Sequence, residues 1–247
     1  MTNVLLVGES WSTTSIHTKG FDSFVTSEYS EGGGALINIL KDAKFNVSYM
    51  PCHVASKEFP FNIKDLSHYD VILLSDIGAN TFLLPGATFI HGESKSNRLS
   101  LIKEWVEQGG GLAMIGGYLS FQGFEAKANY RNTPLADVLP VEMEIGDDRE
   151  ETPQGSKVKV VKPHQITKDV DPNSPNILGY QRLKPKPGAE VLVEVNSHPF
   201  LIVGEFGKGR TLAYASDIGP HWAPTPFTDW NGFKQIWINS VNWLSKK

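Results

Sequence analysis

The sequence predicts an α/β protein built on a mostly parallel sheet flanked by helices, with additional β-strands in its C-terminal half. Three observations carry this expectation. The first half alternates short continuous apolar runs with helix-like stretches, the pattern of βαβ units. The first of those runs, Asn3–Val7, stops at Gly8 and reads as a parallel strand buried on both faces. Finally, 247 residues with 40% hydrophobic and 20% charged side chains fit one large core rather than several small ones. The whole chain, 1–247, is therefore taken as a single domain, with residues of about 134–200 as a candidate elaboration.

Taken in order, the first strand is followed by Ser12–Tyr29, which shows little sign of regular structure and is expected to be a long loop. Gly34–Ala43 predicts a helix, because Leu36, Ile37 and Leu40 form one apolar face. Phe45–Met50 is a second strand stopped by Pro51, and Asp70–Ser75 a third. A second long loop covers Gly78–Ser96. Asn97–Gln108 is then a helix with Leu99, Ile102 and Val106 on one face and Ser94 or Ser96 as its cap. The glycines 109–111 end it, and Leu112–Ile115 is the fourth strand. Val141–Ile145 and Lys157–Val161 read as extended segments around a charged loop, Gly146–Ser156. Glu190–Val195, Pro199–Glu205 and Arg210–Ser216 are strands, the last two joined by a tight turn at Gly207–Gly209. A closing helix, Gly232–Leu244, puts Phe233, Ile236, Trp237, Val241 and Leu244 on the face toward the sheet.

Composition excludes several function classes. Twenty-three basic and 27 acidic residues give a net charge of −4 with no dense basic block, so nucleic acid is not an expected partner. Runs such as Val71–Leu74 and Leu201–Gly204 are too short to cross a bilayer. Met1 leads directly into the first strand without a basic leader, and the one cysteine, Cys52, cannot pair internally. Both features point to the cytoplasm. Neither GxGxxG nor a Walker A pattern occurs, and no cofactor is expected. The seven histidines show no metal-ligand spacing; only a convergence in space, for example of His17, His53 and His221, would make a metal site, and none is predicted.

Three segments are candidates for chemistry. Leu112–Ser120 is a buried strand that ends in Gly116 and Gly117 and turns into a presumed helix. Such a junction aims backbone amides at a ligand, with Tyr118 the first functional side chain, or else serves only for close packing. Asp217-Ile-Gly-Pro-His-Trp222 offers Asp217 and His221 for acid–base work and Trp222 as an aromatic wall. The plainer alternative is a loop histidine beside a core tryptophan. Gly8-Glu-Ser-Trp11 lies at the carboxyl end of the first strand, where ligands bind in open parallel sheets. There Glu9 and Ser10 can hydrogen-bond a ligand and Trp11 can stack on it. Asp76 and Asn80, after the third strand, join the same edge. Asp147–Glu151 reads most simply as a solvated charged loop.

Together, Gly8–Trp11, Ser75–Thr81, Gly110–Phe121, Asp147–Arg149 and Ser216–Trp222 resemble the class I glutamine amidotransferase-like proteins, in particular an uncharacterised bacterial family. The resemblance covers nearly the whole chain. It implies a flavodoxin-like sheet with an elbow after the fourth or fifth strand, and kinship with the ThuA-like proteins. It also implies a cysteine at the elbow and a later His-x-Glu pair, and the sequence departs from both. The elbow holds Gly116 and Gly117, His221 is followed two places on by Ala223, and the only His-x-Glu match, His91–Glu93, precedes the elbow. Glutamine hydrolysis is therefore not expected. Two readings remain. One is a site for a small molecule, carbohydrate-like in its aromatic and polar mixture, with His221, Glu9, Tyr118 and Asp217 as acid–base groups. The other is a binding or assembly module without chemistry. A homo-oligomer is expected in either case.

Overall fold

The computed structural model describes residues 1–246. Its frame is one nine-stranded sheet. The parallel part consists of β1 (Asn3–Gly8), β4 (Asn46–Met50), β5 (Val71–Ser75), β6 (Gly111–Ile115) and β13 (Gly209–Tyr214), in the spatial order β4-β1-β5-β6-β13. This is the flavodoxin-like order. Val4–Val7, Val71–Leu74 and Leu112–Ile115 are all buried, because helices cover both faces.

One face carries α1 (Gly34–Asp42) and α9 (Asn231–Leu244), which touch each other. The buried residues of α9 are those of the predicted face, with Gly232, Ser240 and Trp243 added. The helix lies so close to β6 that a Cβ on Gly111 would come within 2.6 Å of the Leu244 carbonyl oxygen. The remaining helices begin with α2 (Cys52–Glu58), α3 (Ile63–Leu66), α4 (Ala79–Leu83), α5 (Gly86–Phe89) and α6 (Arg98–Glu107). The short α4 and α5 lie within the expected loop 78–96. Asn97, not Ser94 or Ser96, caps α6, its Oδ1 accepting from the amides of Leu99 and Ser100 at 3.0 and 3.2 Å. Arg98 follows, fully buried without a carboxylate. Its guanidinium donates to the carbonyls of Ala55 and Ser56 at the end of α2 and lies 3.9 Å over the Phe61 ring.

Beyond β13 the sheet turns antiparallel, through β12 (His198–Phe206), β11 (Glu190–Val195), β8 (Arg149–Val160) and β9 (Asn176–Gln181). The candidate elaboration thus extends the main sheet. A two-residue pair, β7 (Val141–Glu142) with β10 (Lys184–Pro185), and the short helices α7 (Leu135–Val138) and α8 (Thr225–Thr228) complete the fold.

Three further expectations fail. The segment 12–29 is not an irregular loop. It forms the hairpin of β2 (Ser10–Lys19) and β3 (Asp22–Glu31), paired in unbroken register from Ser10↔Glu31 to Lys19↔Asp22. Its Ser/Thr-rich sequence hides the strand signal because no face of the hairpin enters the core and no apolar alternation is needed. The charged stretch 146–156 is mostly strand β8, irregular only between Glu151 and Ser156. No α-helix follows the strand directly at Gly116: residues 117–122 are turns and bends, and two single 3-10 turns come after them at Phe124–Ala126 and Tyr130–Asn132. The sharp turn exists, but it aims no helix N-terminus at the edge.

Candidate functional site

The strand order reverses between β4, β1 and β5, so the edge at the carboxyl ends of β1 and β5 is the topological switch point. Both strands leave it through backbone that side chains rarely adopt. Glu9 has φ +49 and Asp76 φ +42, and Gly8 precedes Glu9 at φ +104. A Cβ on Gly8 would come within 1.9 Å of the Ser75 carbonyl oxygen, so only glycine lets the two strand ends meet. The Glu9 amide donates to that same oxygen at 2.7 Å. This turn rotates the Glu9 side chain inward.

The Glu9 carboxyl is fully buried. Ser75 Oγ donates to its Oε2 at 2.5 Å, whereas Oε1 finds no amide or hydroxyl donor. Gly32 and Gly219 make room for Oε1: a Cβ on either would approach it to 2.5 or 2.9 Å. Burial first, then the nearby Asp217 and Asp76, hold Glu9 well above the usual carboxylate range. The neighbouring Asp217 carboxyl adds to that rise, and two buried carboxyls side by side favour keeping a proton on one of them. Asp217 is 2% exposed, and burial pushes it up to about 7. Its Oδ1 accepts from the amides of Ile218 (2.6 Å) and Gly219 (3.1 Å), while Oδ2 lies 4.0 Å from His221 Nδ1. A line of polar groups therefore runs from Ser75 through Glu9 and Asp217 to His221, whose side chain is 53% exposed.

His221 sits among aromatic rings. The Trp11 centroid is 5.1 Å away and tilted, and the Tyr118 centroid is 6.1 Å away and nearly parallel. Trp11 is half-buried and Tyr118 is 41% exposed. Asp76 approaches from below, its Oδ1 accepting from the Leu119 amide at 2.6 Å. Burial raises its carboxyl, and that amide and His221 oppose the rise. Gly117, at φ +138, allows this approach, since a Cβ there would sit 2.8 Å from Asp76 Oδ1.

The other predicted residues are placed differently. Ser10 is buried and its Oγ accepts from the Cys52 amide at 2.8 Å, so it anchors the start of α2. Trp222 is 2% exposed and offers no wall to a ligand. Its indole N–H donates to Glu151, and its ring lies where a Gly179 side chain would be. Asn80 is exposed on α4, and its side chain makes no hydrogen bond among the described residues. Gly116 is closed off, because a Cβ there would meet Gln181 Oε1 at 2.4 Å and the Ala215 carbonyl oxygen at 2.6 Å. His17 stacks on Phe24 in the hairpin and His53 meets Tyr29. Among the described residues no group of three or more His, Cys, Asp or Glu could hold a metal.

Sequence reading missed three contributors. Ser75 is the last residue of a buried strand, and only the positive φ of Glu9 reveals its partner. Gln181 is fully buried and spans the Gly117 amide and carbonyl. The segment 147–151 is no solvated loop. Asp148 is buried and accepts from the amides of Gln122 and Gly123, while burial raises it to about 6. Glu151 takes the Tyr118 hydroxyl and the Trp222 indole, at 3.2 and 2.9 Å. Arg149 pairs with Asp147 and Glu151 and stacks over Tyr118 and Phe124 at 4.8 and 4.4 Å.

No helix among the described residues is long and apolar enough to cross a membrane. No curated protein matches the chain. Two solved structures from Salmonella typhimurium, the cytoplasmic proteins STM3548 and STM1381 (the latter from strain LT2), each share 45% identity and a TM-score of 0.95. They cover 98% of this chain and 98% and 99% of their own, and their names agree with the compartment expected from the sequence. A ThuA-like protein from Parabacteroides merdae matches at 13% identity over 99% of this chain and 90% of its own, with a TM-score of 0.56, which speaks for the fold alone. A family model described as "Putative glutamine amidotransferase" matches residues 3–246, and the chain belongs to that glutamine amidotransferase-like family.

Proposed function

We propose that the carboxyl edge is an acid–base site for a small, polar, carbohydrate-like molecule, and that it is not a glutaminase. The carrying observation is the line Ser75–Glu9–Asp217–His221, buried at one end and open at the other. Asp217 faces Nδ1 of His221 and favours the proton there, which leaves Nε2 free to take a proton from a ligand hydroxyl or a water. The 4.0 Å gap closes as a ligand presses on the exposed ring. Glu9 meets no ligand. It is a positioning residue that holds Asp217 in place and keeps a proton in the pair.

Trp11 and Tyr118 give apolar faces on either side of the imidazole, suited to the C–H face of a sugar ring. A nucleophile is missing. Gly116 has no room for a cysteine side chain, and burial, the leading cause, pushes the Cys52 thiol up, away from the thiolate. The reaction is therefore proton transfer or water activation rather than acyl-enzyme chemistry.

The second reading, a binding module without turnover, is favoured by the commitment of the Tyr118 hydroxyl to Glu151 and by the burial of Trp222. Thermal denaturation with neutral sugars, amino sugars and sugar acids tests the site itself. A ligand at 100 times its Kd adds about 2.7 kcal/mol, a shift of a few degrees. His221→Ala should abolish the shift and leave the unliganded melting temperature nearly unchanged. No shift with any compound, or the same shift in the variant, removes the proposal. Binding without conversion of the ligand would select the second reading.

A further inference from the structure

The outer part of the β2–β3 hairpin, residues 12–28, is the feature that neither the core nor the proposed site accounts for. Both strands are ten residues long and almost wholly exposed beyond their base, where Ser10, Trp11 and Tyr29 meet the rest of the fold. Ile16 is 74% exposed, Val25 62%, Phe24 49% and Tyr29 46%, and Phe21 at the tip is fully exposed. A two-stranded ribbon of this kind is marginal in water, and three or more strands with an apolar face are needed for independent stability. Its order calls for further strands.

The two free edges are not equivalent. The edge of β3 carries Asp22, Glu28 and Glu31, so antiparallel pairing with a second β3 would bring acids together. That of β2 carries no acid and no proline, only His17 and Lys19, so nothing guards it. Gly20 at φ +63 opens the two-residue turn Gly20–Phe21. Counting back from its closing pair Lys19↔Asp22, the alternation of an antiparallel ladder leaves the amides and carbonyls of Ser12, Thr14, Ile16 and Thr18 directed outward.

We infer that this chain forms a twofold dimer by antiparallel pairing of β2 with β2 of a second copy, centred on Ser15, and that each tip covers the partner's carboxyl edge. The centring follows from the pleat. A twofold axis through the sheet pairs residues on the same face, so Thr14 meets Ile16, Ser12 meets Thr18, and Trp11 meets Lys19 across the dimer. The basic tip then lies over an indole, beside an arm base that carries Glu28 and Glu31. On the other face Ile16 and Val25 of both copies become one apolar surface on a four-stranded sheet.

Area decides the role of the tip. An edge about 33 Å long and about 10 Å thick buries only on the order of 700 Å² over both copies, short of the roughly 1,200 Å² of a stable interface. Seating Phe21 on the partner's half-buried Trp11 and exposed Tyr118 and His221 supplies the remainder. That half of the inference rests on the proposed site, whereas the strand pairing stands without it.

Light scattering on the eluting full chain should give twice the monomer mass at tens of micromolar. In a Cys52→Ser background, Ser15→Cys should oxidise to a covalent dimer, because opposed residues of a non-hydrogen-bonded pair have Cα atoms about 4.5 Å apart, within disulfide reach. Ser27→Cys, on the other strand, should not cross-link. Phe21→Ser should weaken the dimer at least tenfold. A monomer overturns the inference, as does a dimer that Ser15→Cys fails to cross-link. Cross-linking with an undiminished dimer in Phe21→Ser overturns the covering tip alone, and absent sugar binding would bear only on the site.

Discussion

Two acidic clusters flank Tyr118 and His221, and they are handled in opposite ways. On one side Asp147 and Glu151 share Arg149, whose guanidinium holds Asp147 well below the usual carboxylate range. On the other side Glu9 and Asp217 are buried with no cation, and both are held up, toward the protonated form. The first arrangement is what a fold does to use charge as a clasp. The second leaves a proton where stability alone would prefer apolar residues, and that uncompensated cost is what marks the candidate site.

The sharpest way to break this contrast is Asp217→Asn, which keeps the acceptor for the Ile218 and Gly219 amides. An acid whose folded pKa is raised binds its proton more tightly in the native state. Its contribution is fully present below the ordinary carboxylate pKa and is lost as pH rises toward about 7. The parent should therefore lose up to about 4 kcal/mol between pH 4 and pH 8 through this group, and the variant should show a much flatter profile. An equal loss of stability in parent and variant between the two pH values, read from denaturant melts, would mean that the pair does not hold a proton.

Arg149→Met tests the other cluster with the opposite sign. Asp147, its pKa lowered, contributes fully above the ordinary carboxylate pKa and loses that contribution as pH falls from there through its lowered folded value. Because these carboxyls are partly exposed, the expected deficit at pH 7 is only about 1–2 kcal/mol. It should shrink below pH 4, and a deficit that stays constant would assign the loss to stacking on Tyr118 and Phe124 instead. The smallest effect belongs to Tyr118→Phe. Losing one half-exposed hydrogen bond to Glu151 should cost about 0.5–1 kcal/mol, read from the urea midpoint.

Much of the frame was legible because it is periodic. Val4–Val7, Val71–Leu74 and the apolar face of Asn231–Leu244 announce themselves by burial on one or both sides. The hairpin was not, since its strands serve no core and carry serines and threonines where apolar alternation would be the signal. At the site, residue type sufficed for Glu9, Asp76, Asp217, His221, Trp11 and Tyr118, which the switch point gathers. It misled for Trp222 and Ser10, since an indole and a hydroxyl look alike in sequence whether they face a ligand or a neighbour. Gln181 and Glu151 were hidden for another reason: their partners lie many residues away.

The position of β13 has a consequence for how the chain reaches this state. It lies between β6 and β12, so the parallel half of the sheet is closed by a strand made long after β6. Until the chain from Gly116 to Lys208 has emerged, the apolar edge of β6 has no neighbour on that side. Such long-range pairing is slow, and an open edge is a template for misassembly. A nascent or truncated chain should therefore depend on holding factors over that interval, long after its first four parallel strands could have met.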